Sequence, residues 1–418
     1  MNLISKVFLN PKEEAEIKAG FPWVFDNEIN YIKHESLAPG GQHKSADEKL
    51  ADCTLENGSV VEVMTKSGFY LGTGIFNAKS KIVVRIMSRV RGEAFDRDFF
   101  AKRINAALEI RFAYYKKHDS YRLIFDEADF LPGLTVDRYC DTEGRVFLAV
   151  QFTALCTAKY RKEIIDVLTE ICHPFGIYER SDSSICEKEG IEEKNGWIGA
   201  EHNPVIVIKE NGILLQVDLE KGQKTGYFLD QKFNRREVSR FARGKRVLDT
   251  FTHTGAFALN CAAAGAKEVT AVDISEEAVE TVNTNIALNK MQKTVNAVCA
   301  DVFDVLRKYE EEGKTFDMII LDPPAFTKSA KMVQKAYGGY KEINLRAMKL
   351  LVPGGILVTC SCSHFFDPNT FYSMLNNAAN DAHRSFQILE KRGAGPDHPV
   401  LSGYPKSEYL KCAVLRVL

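Results

Sequence analysis

The chain has no apolar run near the roughly 20 residues that a membrane-crossing helix needs, which excludes a helical membrane protein. Its first residues, MNLISKVFLNPKEEAEIKAG, contain no signal-peptide core, because Pro11 and a Glu/Lys cluster interrupt it. A cytoplasmic location is the expectation. There is no Cys-x-x-Cys pair: the 10 cysteines stand singly, apart from Cys360 and Cys362. Buried thiols are therefore expected rather than disulfides or a bound metal. Net charge is also missing, with 55 Lys and Arg against 56 Asp and Glu. A nucleic-acid partner would thus require basic groups concentrated locally. No internal repeat is evident. What is present is ordinary globular material, 418 residues with 45% hydrophobic and 27% charged. At roughly 100–200 residues per domain, this length suits two or three domains with sizeable cores.

Three parts are expected, over residues 1–90, 91–195 and 196–418. In the first, SVVEVMTKSGFYLGTGIFNAKSKIVVRIMS reads as short alternating strands broken by Gly68, Gly72, Gly74 and Asn77, a small β-rich module. The polar segment 34–58 reads as an exposed insertion. The second part opens with a helix, in which Phe99, Phe100, Ile104, Ala107, Leu108 and Ile110 recur at helical spacing. Three strands and an amphipathic helix follow, making a small α+β unit. The third part begins with a hairpin turning at Asn211-Gly212. Strict alternation follows: RVLDTF, GAFALNCAAAG, EVTAVDIS, EEAVETVNTNIALNK, VNAVCADVFDVLRKY, FDMIILDPP, YKEINLRAMKLL and GILVTCS. Strand, helix, strand in that rhythm predicts an α/β domain, a parallel sheet wrapped by helices.

In such a sheet the ligand sits beyond the carboxyl ends of the strands. Asp249 ends the first strand, and Gly255 follows where a helix must start close to a ligand. Asp273 ends the second, 24 residues on, where a carboxylate reaches ribose hydroxyls. Asp301 closes the third, suited to an adenine amino group, and Asp322 the fourth. One glycine is a weak dinucleotide signal. Four carboxylates suit a cationic sulfonium and an amino-acid moiety, and suit a pyrophosphate poorly. S-adenosyl-L-methionine is the expected cofactor. Phe251, Thr254, Ile274, Val302 and Gln231 complete the candidate set around Asp249, Gly255, Asp273, Asp301 and Asp322.

Asp322-Pro323-Pro324-Ala325-Phe326 is a rigid exit from a strand. The prolines fix φ and remove N–H donors, leaving carbonyls and a carboxylate to accept from the exocyclic amine of a planar base. Phe326 offers a stacking face. Carbon 5 of a pyrimidine becomes nucleophilic when a thiolate adds at carbon 6. That chemistry needs a cysteine at a strand end. In VTCSCSHFF, Cys360 continues the apolar run Ile356-Leu357-Val358 and reads as a core thiol. Cys362, between two serines and before His364, reads as loop and is the candidate nucleophile. Lys81 to Lys117 holds ten Lys and Arg against four acids, with Tyr114 and Tyr115 among them, a candidate phosphate-contacting segment. Lys328, Lys331 and Lys335 follow the Asp-Pro-Pro loop.

These stretches resemble the RlmI-type methyltransferases, which make 5-methylcytosine in 23S ribosomal RNA. The resemblance rests on Gly20-Phe21-Pro22-Trp23-Val24-Phe25, Leu71 to Asn77, Arg122-Leu123, Glu127 to Arg138, Lys224 to Gln231, Leu248 to Phe257, Asp322 to Phe326 and Ser361-Cys362-Ser363. It implies an N-terminal PUA-like domain docking structured RNA, a small α+β central domain, and a C-terminal Rossmann-like class I methyltransferase domain. It implies that Cys362 is the nucleophile and that Asp322 binds the cytosine edge, with Pro323, Pro324, Phe326 and Lys328 around the base. The chain departs from that family in its long 34–58 segment and in Cys360, which the motif does not require. Two other readings stay open: a ribosomal RNA guanine methyltransferase without a cysteine nucleophile, and a non-catalytic RNA-binding assembly factor. A homodimer is among the assemblies open to it.

Overall fold

The computed structural model describes residues 4–37, 43–223, 225–327 and 330–418. Among these, no helix is long and apolar enough to cross a membrane. The chain forms two compact units. One comprises Met1–Pro204, Leu219–Gly226 and Pro396–Ser407, the other Val205–Asp218, Tyr227–Gly395 and Glu408–Leu418.

The first unit holds two sheets. A seven-stranded sheet runs in the order Trp23–Phe25, Ile82–Ser88, Tyr70–Phe76, Val60–Met64, Ser5–Leu9, Ile29–Leu37, His43–Glu48. Val7, Leu9, Val24, Ile32, Val61, Val63, Phe76 and Val84 fill its core. Gly74 is required by packing, since a Cβ there would lie 2.2 Å from the Arg85 carbonyl oxygen. The 34–58 segment is not simply an insertion. Ile29–Leu37 and His43–Glu48 pair antiparallel as the sheet's edge, and residues 50–52 form a short 3-10 turn. An edge ribbon needs little apolar alternation, so its polar sequence concealed it.

The second sheet has five strands, in the order Gly196–Ile198, Gly176–Glu179, Val146–Phe152, Leu134–Cys140, Tyr121–Phe125. Helices Arg97–Phe112 and Arg161–Cys172 belong with it, as the helical spacing predicts. Leu134–Cys140 is buried at every residue, two of them charged. Asp137 is met by a guanidinium, and Arg138 donates to the backbone carbonyls of Asp119 and Lys117. Arg122 binds both oxygens of Asp137, and the wholly buried Arg111 binds both oxygens of Asp129.

The second unit opens with the hairpin Val205–Glu210 and Ile213–Asp218. Asn211 (φ 52°) and Gly212 (φ 88°) turn it in the left-handed region that those residues tolerate. Its main sheet runs Val295–Cys299, Glu268–Asp273, Arg246–Thr250, Phe316–Leu321, Leu351–Ser361, Lys411–Val417, Phe386–Arg392. Lys411–Val417 is antiparallel to both its neighbours, and every other pairing is parallel. The first of these strands in chain order, Arg246–Thr250, lies mid-sheet, and the order reverses beside it. That reversal opens a crevice at the strands' carboxyl ends. The segment 350–355, which reads as a helix end and a turn, is largely strand: helix Val333–Leu350 passes directly into Leu351–Ser361, with a register shift opposite Phe316.

Candidate active site

At the carboxyl end of Arg246–Thr250, Asp249 is fully buried. Its Oδ2 accepts from Thr252 Oγ1 at 2.6 Å and from the Ala258 amide at 3.0 Å. Its Oδ1 is buried and accepts no hydrogen bond from the described residues. Burial pushes this carboxyl up to about 7, a rise that its two donors oppose and the nearby Asp322 and Asp273 reinforce. The loop that follows is bent through unusual backbone: Phe251 and His253 have φ of 57° and 52°, and Gly255 has 80°. For non-glycine residues such values are strained and cluster at binding sites. At Gly255 a Cβ would also come within 3.0 Å of Val282, so glycine lets the helix Ala256–Ala263 start packed against that side chain.

Asp273 accepts from the His253 amide (2.8 Å) and the Ser275 amide (3.1 Å). Asp301 caps helix Val302–Glu311 by accepting from the Phe303 amide. Beside them Ile274 is 66% exposed, an apolar shelf, while Val302 and Thr254 are buried. No cationic side chain of the described residues lies within ion-pair distance of Asp249, Asp273 or Asp301. The three are held by amides and one hydroxyl. A cofactor carrying an ammonium, a sulfonium and a ribose diol fits that set. It supplies the positive charge the cluster lacks and a donor for the orphaned Asp249 oxygen.

Asp322 follows Phe316–Leu321 and is half-buried. Both its oxygens lie 3.1 Å from Gln231 Nε2. Gln231 Oε1 accepts from Asn234 Nδ2 at 2.6 Å, and Asn234 Oδ1 accepts from Arg392 Nε at 2.9 Å. This chain fixes which face of each amide points where, and so fixes the carboxylate. Pro323 is buried and Pro324 exposed. Phe326 is half-buried in an aromatic cluster, its centroid 4.6 Å from Tyr340 and just over 6 Å from Phe303 and Phe251. The ring expected to offer a stacking face thus also anchors the loop. Lys328 lies outside the described residues.

The two cysteines separate as their neighbours in sequence predict. Cys360 is fully buried in strand Leu351–Ser361, opposite Cys412. Its contact with the Cys412 thiol, then burial, pushes it well above the usual thiol range. Cys362 lies just past the strand end and is half-buried. Because Leu321 pairs with Thr359 in parallel register, Asp322 and Cys362 follow the ends of neighbouring strands. Ser363 is buried, its hydroxyl 3.0 Å from that of Tyr340. His364 is exposed, its ring 5.4 Å from Tyr409. Sequence reasoning missed Asn234, Arg392, Tyr409 and Lys411. All four are polar side chains partly or wholly buried in this unit, and no spacing marks them.

The basic segment 81–117 is not a free phosphate-binding face. Arg85 pairs with Glu189, Arg91 with Glu62, Arg97 with Glu170 and Arg111 with Asp129. Arg89 donates to three backbone carbonyls, and Arg103 to that of Met87. Tyr115 is buried, whereas Tyr114 is 60% exposed. Lys81, Lys102, Lys116 and Lys117 remain exposed.

The model of the S-adenosylmethionine-dependent methyltransferase family matches residues 186–410, and that of a PUA-like domain matches residues 7–89. The chain is 39% identical over 416 residues to the ribosomal RNA large subunit methyltransferase I of Shewanella denitrificans, covering 99% of both. It is 35% identical over 417 residues to the protein of that name from Aliivibrio fischeri, again with 99% of both covered. Among solved structures, it is similar to a Streptococcus mutans protein described as an S-adenosylmethionine-dependent methyltransferase. The TM-score is 0.78, with 22% identity and coverage of 98% and 99%.

Proposed function

The chain belongs to the S-adenosylmethionine-dependent methyltransferase family and carries a PUA-like domain, and from that premise we propose that it methylates carbon 5 of a cytosine in 23S ribosomal RNA through a covalent adduct with Cys362. The observation that carries this reading is the half-buried thiol just past one strand end, beside the strand Phe316–Leu321 that Asp322 follows. Full-length similarity to proteins named ribosomal RNA large subunit methyltransferase I supports the choice of RNA. The same reading divides the chain into a PUA-like RNA-docking domain over 1–90, a central domain over 91–195 and the methyltransferase domain over 196–418. It also makes the cytoplasm the place of action.

When bound, the cofactor supplies an electrophilic methyl group on a sulfonium. Asp249, Asp273 and Asp301 would hold it, with Phe251, Thr254, Gly255, Ile274, Val302 and Gln231 around them. The target cytosine leaves its stack to reach the site. Asp322, oriented by Gln231, accepts from the cytosine edge, and Pro323, Pro324, Phe326 and Lys328 border the base. The Cys362 thiolate bonds to carbon 6, and the displaced electron pair makes carbon 5 the nucleophile. Carbon 5 would then be placed to accept the methyl group that the bound cofactor supplies. Loss of the carbon 5 proton to a base then restores the ring double bond and expels the thiolate.

The test is methyl transfer from labelled cofactor to 23S ribosomal RNA, with the modified base identified by mass spectrometry. Cys362→Ala is expected to lose on the order of 1,000-fold or more in rate. Cys360→Ala is expected to stay within a few-fold of the parent. A fully active Cys362→Ala, or methylguanine as the product, overturns the reading.

A further inference from the structure

Lys411 is 7% exposed, and its ammonium is deep in the second unit. It lies directly opposite Ser361 in the antiparallel register of Leu351–Ser361 and Lys411–Val417. From there Nζ donates to the carbonyl oxygens of Ser363 and Tyr409, both at 2.7 Å. The side chain therefore reaches past Cys362, which lies between Ser361 and Ser363. Two of its three N–H donors are committed to these carbonyls. No carboxylate of the described residues lies within ion-pair distance of it.

A buried ammonium without a carboxylate is a costly arrangement. Burial brings this one down to about 8, against the opposing fields of Cys362, Asp367 and Glu408. Asp367 and Glu408 are both exposed, and Asp367 is engaged in capping helix Pro368–Asp381. The other groups around the turn are the buried Tyr340 hydroxyl on Ser363 and the exposed His364 against Tyr409. Neither supplies a fixed negative charge. Two carbonyls alone would be satisfied by a neutral donor; a cation is explained by an anion present for part of the cycle.

We propose that Lys411 is a positioning residue whose ammonium holds the Cys362 side chain as its thiolate. The proposal rests on the reading of Cys362 as the nucleophile. As the sulfur bonds to carbon 6 its negative charge disappears, and it returns when the sulfur leaves. A fixed cation beside it stabilises the thiolate at both ends of the cycle, before attack and as leaving group.

The test measures alkylation of Cys362 by iodoacetamide in the full-length protein as a function of pH, resolved by mass spectrometry of its peptide. The exposed Cys299 serves as internal reference. Lys411→Gln keeps a donor for the two carbonyls and removes the charge. Its Cys362 profile is expected to move up by about one pH unit, making alkylation about tenfold slower near neutrality, while Cys299 is unchanged. Lys411→Arg keeps the charge and is expected to keep the parent midpoint. Cofactor binding by calorimetry verifies that each variant is folded. An unmoved Cys362 midpoint in a folded Lys411→Gln overturns the proposal. So does a Lys411→Arg midpoint raised by about one pH unit over the parent, which is the deciding result if Lys411→Gln does not fold. The readout uses no RNA, so it fails separately from the nucleophile assignment, which the methyl-transfer assay of Cys362→Ala decides.

Discussion

Two sets of aspartates are buried or half-buried in this protein, and they are treated in opposite ways. In the first unit Asp129 and Asp137 each receive a bidentate guanidinium, from Arg111 and Arg122. In the second unit Asp249, Asp273 and Asp301 receive amides and a hydroxyl and no cation of the described residues. Where the chain supplies the counter-charge, the carboxylate closes a fold. Where it withholds the counter-charge, negative potential is kept for a cationic ligand. The Glu127-to-Arg138 stretch, so prominent in the family resemblance, thus supplies both aspartates of the first set.

The largest expected effect that would test this contrast comes from Arg111→Met. It strands the Asp129 carboxylate in the interior, and breaking such a pair typically costs about 3–5 kcal/mol. Denaturant unfolding measures the loss, and cofactor affinity of the folded variant should stay within about twofold, because no cofactor residue is touched. An equal loss of affinity would erase the distinction between the two sets. Asp249→Asn should behave inversely. Losing a hydrogen bond to a charged group, worth about 1.5–3 kcal/mol, weakens cofactor binding about tenfold to a hundredfold by calorimetry. Stability should be unchanged or higher, since a carboxylate opposed by burial has been removed.

The pH dependence sharpens the same point. Asp249 is raised from 3.8 to about 7. Its contribution to the stability of the cofactor-free protein is therefore present below about pH 4 and lost as pH rises to about 7. A cationic ligand favours the ionised form, so cofactor affinity should fall as pH drops below 7, approaching tenfold per unit, and Asp249→Asn should abolish that slope. A flat profile in the parent would remove Asp249 from the ligand set. The smallest effect belongs to Lys411, lowered from 10.5 to about 8. Its folded form releases the proton first, so stability should rise with pH between about 8 and 10.5. Lys411→Met should remove that rise in thermal unfolding measured across the window.

Much of the second unit was legible in the sequence because its signals are local. Strand–helix alternation named the parallel sheet, and Asp249, Asp273, Asp301 and Asp322 stand where the apolar runs end. Cys360 and Cys362 are distinguished by their immediate neighbours, one in an apolar run and one between serines. The failures share a different cause. The excess of arginine over 81–117 looked like surface charge, yet Arg85 and Arg111 find acids 104 and 18 residues away. The polar strand His43–Glu48 has no apolar alternation to reveal it as sheet edge.

By itself the sequence determined where the parallel strands of the second unit end, which turn needs a left-handed residue and which thiol leaves the sheet. Periodicity and residue type carry those outcomes over a few positions of chain. Only the tertiary structure decided which charges neutralise each other and which are left over. Lys411 lies 49 residues beyond Cys362 and comes to its turn through the pairing of Ser361 with Lys411. That register is set by the packing of a whole sheet, and the field at the thiol follows from it.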